Sequence, residues 1–157
     1  MEVVNIGRWK LKHDAEATRE AFSGVPVGSP ESCGCAECLN FAAVRDRAYP
    51  PEALAIFERL GIDPCKESEI WHTHRDELGL HYYGGFFHFV GSIESGEDAK
   101  RMVNGVGAFE LEPMGENFEF GFTSDAALIP KSFAGKEVAQ LEFQTKVVWV
   151  LDGEEPD

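Results

Sequence analysis

From Val3 to Lys12 apolar and polar residues alternate. Val4, Ile6, Arg8, Lys10 and Lys12 fall to one side and Val3, Asn5, Trp9 and Leu11 to the other, which predicts an edge strand. Asp14 then offers an N-cap to a short helix, DAEATREAF, that stops at Ser23–Gly24. The next stretch, SGVPVGSPES, is loop by its Gly, Pro and Ser content. A helical period returns at Ala36, where Cys38, Phe41, Ala42 and Arg45 follow i, i+3, i+4, i+7 spacing. Pro50–Pro51 ends that helix and opens another, PEALAIFERLG, with Ala53, Leu54, Phe57 and Leu60 on one stripe and Gly61 as its C-terminal cap.

Beyond Asp63–Pro64 the period falls to two and the chain becomes rich in aromatic and β-branched residues. Glu69 to His74, Leu80 to Phe89, Ala108 to Glu112, Phe118 to Thr123 and Val138 to Leu151 are predicted strands, separated by the turn sequences DELG, ESGED, PMGEN and SFAGK. Gly84–Gly85 inside the second of these predicts a bulge or a close backbone approach. Short connections imply antiparallel pairing. The expected architecture is α+β: an N-terminal layer of two main helices packed on a mostly antiparallel sheet of about five to six strands. Residues 1–157 form one domain in this reading, with the acidic tail 152–157 expected to be flexible.

Composition narrows the partners. A formal charge of −14, from 28 acidic against 14 basic side chains, repels phosphate backbones and anionic lipid, so neither nucleic acid nor a membrane is expected. No segment has the apolar length of a membrane span, and the N-terminus has no signal pattern, so a cytoplasmic location is expected. In that reducing compartment cysteines are free thiols or metal ligands before they are disulfides. Edge pairing of the sheet would allow a homodimer.

Three of the four cysteines fall in ESCGCAECLNF, spaced C-x-C-x2-C at a helix entrance. Cys33, Cys35 and Cys38 can supply three soft ligands for zinc, with Cys65, His72, His74, His81 or His88 as a fourth. Cys35 and Cys38 also form a C-x-x-C at a helix N-terminus, where unpaired N–H groups favour a thiolate, although a loop precedes them and Glu31 and Glu37 oppose that charge. Packing is the reading that leads for these cysteines, ahead of metal and then redox, with Cys38 in the core and Cys33 and Cys35 shaping a turn around Gly34.

Four of the five histidines lie between Glu69 and Gly91. His72 and His74, two apart on a predicted strand, should share a face and could grip a metal with Glu77. His72, His74, Glu77 and Gly84 bear a partial resemblance to the first cupin motif, and Gly107, Pro113 and Gly115 echo the second. Phe118 stands in the place of the second motif's histidine, the leading glycine of the first is absent, and the His-to-Glu gap is one residue short.

Across nearly the whole chain, from about Val3 to Leu151, the order CGCAECLNFAAVRDRAYPPE, LGIDP, GLHYYGGFFHFVG and WVL resembles a family of small bacterial proteins marked by C-G-C-x2-C-x-N-F-x3-R. Cys33, Cys35, Cys38, Asn40, Phe41, Arg45, Tyr49, Pro50 and Gly84–Gly85 carry the likeness. The resemblance implies one bacterial cytoplasmic domain, does not include H-x-H, and adds no activity or cofactor.

FEFGF, from Phe118 to Phe122, places three phenylalanines on one strand face, for packing under the helices or for a concave aromatic pocket. In the second case Asn40, Arg45, Gly84 and Gly85 are the candidate ligand contacts. No G-x-S-x-G, P-loop, dinucleotide fingerprint or H-E-x-x-H is present. The residues therefore point first to a binding or interaction module with a Cys-cluster metal site. A metal-dependent enzyme using His72, His74 and Glu77, and a thiol redox protein using Cys35 and Cys38, are the alternatives.

Overall fold

The computed structural model describes residues 1–157. Its first departure from the sequence pattern comes at once. The stretch expected to be one strand is a hairpin, β1 (Glu2–Ile6) and β2 (Trp9–His13), folded at Gly7–Arg8. Gly7 has φ of +57°, a conformation that glycine adopts without steric cost. The turn reverses the side-chain parity, so Val4 faces Leu11 and Ile6 faces Trp9, and all four are buried together. Along an uninterrupted strand they would have lain on opposite faces.

Asp14 caps α1 (Ala15–Ser23) as expected, its carboxylate accepting from the Ala17 amide at 3.0 Å. A short helix, α2 (Ser29–Cys33), occupies part of the expected loop, with Pro30 in its first turn and Gly34 ending it. α3 (Ala36–Ala48) and α4 (Pro51–Leu60) follow across the Pro50–Pro51 joint. Phe41, Val44 and Ala48 of α3, and Ala53, Phe57 and Leu60 of α4, are buried, whereas Leu54 turns outward.

The sheet comprises β3 (Glu69–Arg75), β4 (His81–Ser95), β7 (Glu112–Pro113), β8 (Phe118–Thr123) and β9 (Val138–Val147), joined to β1 and β2. Its order is β1-β2-β4-β9-β8-β7, with β3 also on β4, making seven strands where fewer were expected. Every pairing is antiparallel. β4 carries β3 on its first half and β2 on its second half, and β9 pairs along His81–Val90. The expected strand Ala108–Glu112 is divided between β7 and a separate hairpin of β5 (Lys100–Val103) and β6 (Val106–Phe109), which turns at Asn104–Gly105. The α+β class holds.

One sheet face meets the helices. Tyr83, Phe87 and Phe89 of β4, Leu141 and Phe143 of β9, and Phe118, Phe120 and Phe122 of β8 are all buried in one core. Tyr49, at the end of α3, lies within 5.1 Å of the Phe57 ring and 5.3 Å of the Phe143 ring, so the FEFGF phenylalanines serve packing. On the other face, Phe86, His88, Gln140 and Glu142 are also buried; the His88 ring meets that of Phe133, and Gln140 accepts from the Ala127 amide.

Candidate metal centre

The α2–α3 junction gathers three thiols. Cys33 ends α2, Gly34 takes a left-handed conformation, and Cys35 is the N-cap of α3, its Sγ accepting from the Cys38 amide at 3.5 Å. The sulfurs of Cys33, Cys35 and Cys38 all lie within 4.8 Å of one another. Tetrahedral zinc, with bonds of about 2.3 Å, holds sulfurs roughly 3.8 Å apart, inside that limit. Cys33 and Cys35 are exposed and Cys38 is buried. The Cys35 amide, followed by the Cys35 and Cys38 thiols, pulls the Cys33 pKa down. Burial, followed by its two neighbours, pushes that of Cys38 up.

A salt-bridge network holds this junction on the sheet. Arg45 donates two hydrogen bonds to Glu31 of α2, both 2.8 Å, and two to Glu67, at 2.8 and 3.0 Å. The Glu67 carboxylate is fully buried and also accepts from the Tyr49 hydroxyl at 2.7 Å. Arg45, hydrogen-bonded first, and then its charge, lower the Glu31 pKa against the opposing effect of burial. Glu31 is therefore an anchor of the cysteine loop rather than a free charge opposing a thiolate.

The other candidate ligands do not join the three thiols. Cys65 lies outside the cluster, and burial, the largest influence, pushes its pKa up. The His72–His74 pair is broken by a bulge at Thr73: His72 lies opposite Tyr83 and His74 opposite Tyr82. Tyr82 and Tyr83 are successive residues of β4 and face opposite ways, so the extra residue sends the two histidines to opposite faces. His72 Nε2 meets His81 Nδ1 at 2.8 Å, and His81 Nε2 meets the Glu155 carboxylate at 2.7 Å. His74 stacks on Tyr82, with ring centroids 4.2 Å apart. Glu77 sits in the exposed turn between β3 and β4, and no His-His-Glu group forms. The acidic tail is tied in as well, through Glu155 to His81 and Arg75 and through Asp157 to Arg75.

Asn40, Arg45, Gly84 and Gly85 are committed to internal contacts. Asn40 is fully buried, accepts from the Val150 amide at 2.8 Å and donates to the Val148 carbonyl at 3.1 Å. That grip turns the chain off the sheet after Val147, where the sequence pattern had extended the strand to Leu151. At Gly84 the close approach comes from a side chain: a Cβ there would lie 2.5 Å from the Trp71 indole. At Gly85 it would lie 2.6 Å from the Glu69 backbone carbonyl, the close backbone approach expected there, and 2.7 Å from Ile70 and Phe143. At Gly84 the sequence predicted the crowding but not its cause, because Trp71 and Gly84 become neighbours only through the β3–β4 register. Glu67, which fixes Arg45, gave no local signal either.

Searches against protein-family models, curated proteins and solved structures give no match to this chain. No helix is long and apolar enough to cross a membrane.

Proposed function

We propose that this chain is a binding module built around a zinc site on Cys33, Cys35 and Cys38, with the fourth coordination position filled from outside the cluster by water, a small ligand or a partner's side chain. The mutual approach of the three sulfurs at an anchored helix entrance carries this reading. Three sulfur donors suit a soft or borderline ion such as zinc. Two of the three thiols are exposed, which leaves an approach for the external ligand. The C-x-x-C redox reading draws less support, because the thiol with the depressed pKa is Cys33, outside that motif, while Cys38 is shifted the opposite way.

The test is elemental analysis of untagged protein purified with zinc present, together with thiol counting before and after denaturation. The expected result is one equivalent of zinc, thiols protected until the metal is chelated, and loss of zinc in Cys35→Ser and Cys38→Ser. Protons compete for the thiolates, so zinc retention should fall as pH falls. A metal-free protein that also fails to compete with a chelating dye for added zinc would end the proposal.

A further inference from the structure

Ser68 and His88 form a pair that no sequence motif announces. Ser68 Oγ lies 2.9 Å from His88 Nδ1, and His88 Nε2 lies 2.8 Å from the Ala127 carbonyl oxygen. A carbonyl only accepts, so Nε2 carries the imidazole hydrogen and Nδ1 presents its lone pair to the Ser68 hydroxyl. His88 is fully buried, and burial, its largest influence, lowers its pKa. This is the arrangement of an activated nucleophile: a hydroxyl, a base within hydrogen-bond reach, and a third group that fixes the base's tautomer.

The pair has an approach. Ser68 is half-buried and lines a cleft of about 350 Å³, together with Ser29, Ser32, Lys66, Glu69 and Cys33. Lys66 lines the same cleft with part of its side chain, while its ammonium donates to the Phe22 carbonyl at 3.0 Å and lies 4.0 Å from the Asp63 carboxylate. The Ser68 amide is bonded to the Phe86 carbonyl at 2.9 Å, which fixes the serine backbone beside β4.

We propose that Ser68 is a nucleophile for acyl transfer from small carboxylic esters, with His88 as its general base. As Ser68 Oγ bonds to the ester carbonyl carbon, its proton passes to His88 Nδ1. The carbon–alkoxide bond then breaks, and the leaving alcohol takes that proton. Water attacks the acyl-serine by the same route in reverse, giving the carboxylic acid and free Ser68. This proposal does not rest on the zinc reading, but Cys33 lines the same cleft, so labelling is measured on both metal-free and zinc-loaded protein.

The experiment is labelling of the full chain with a fluorophosphonate, from whose phosphorus an activated serine displaces fluoride, followed by peptide mapping. Ser23, an exposed serine whose hydroxyl donates to a helix carbonyl, is the internal reference. General-base assistance is worth about 100-fold or more, so Ser68 should label at least about 100-fold faster than Ser23. That excess should vanish in urea and in Ser68→Ala, whose circular dichroism should match that of wild type. His88→Gln should bring Ser68 to the Ser23 rate if the variant folds. If it does not fold, the native-to-urea ratio in wild type decides. Equal labelling of Ser68 and Ser23 in the native protein would overturn the proposal.

Discussion

Replacing Arg45 by alanine tests the frame that holds the cysteine loop. The Arg45 side chain is 13% exposed and the Glu67 side chain 0%, so the substitution strips a fully buried carboxylate of its counter-charge and leaves it the Tyr49 hydroxyl. Removing one member of a buried pair costs about 3–5 kcal/mol, because the other charge stays desolvated. At the lower figure, the melting temperature of a domain this size falls by about 6–12 °C. Glu31 provides the control. Its side chain is 38% exposed, so Glu31→Ala breaks only the outer half of the network and should cost about 1 kcal/mol or less. Urea unfolding of the three proteins, compared at a common m-value, measures both differences. Zinc affinity should weaken in both variants, since each frees α2 from α3. If Arg45→Ala unfolds within about 1 kcal/mol of wild type, the buried network does not anchor the loop, and the preorganisation argued for the thiols falls with it.

Two further substitutions probe the opposite sheet face. Burial, the largest influence, raises the Glu142 pKa to about 7, against the lowering effects of Gln140 and Lys100. The folded value lies above the ordinary one, so its contribution is fully present below about pH 4.5 and is lost as pH rises through about 7. Glu142→Gln should therefore match wild type near pH 4.5 and exceed it above pH 8 by up to about 3 kcal/mol, as read by urea unfolding across pH; a difference independent of pH would contradict this. Gly84→Ala places a methyl against the Trp71 indole and should destabilise by about 1–3 kcal/mol while shifting tryptophan fluorescence, and an unchanged spectrum would show that the indole does not rest there.

The parts of the fold that were legible in the sequence are those decided locally. Asp14 and Gly61 mark helix ends because capping depends on a few neighbouring residues, and Phe118 to Thr123 forms a strand within the predicted bounds. Two of the misses share one cause. Gly7–Arg8 and Thr73 each alter which residues share a face, and alternation counted straight through such a position assigns the far side wrongly. The cysteine cluster was visible because its members are adjacent in sequence. Its anchoring through Glu67, the diversion of His72 to His81 and the Ser68–His88 pair all join residues that only the sheet brings together.

The sheet order also fixes a timetable. β9, the last of these strands to leave the ribosome, lies between β4 and β8 rather than at an edge. Until residues 138–147 emerge, both earlier strands present unpaired edges, and β4 alone brings three buried phenylalanines. Such edges recruit other chains. Nascent chains stalled before Val138 should therefore bind chaperones or aggregate instead of building a partial domain. Refolding should be slow, on the order of milliseconds to seconds, because the central pairing waits for distant segments to meet.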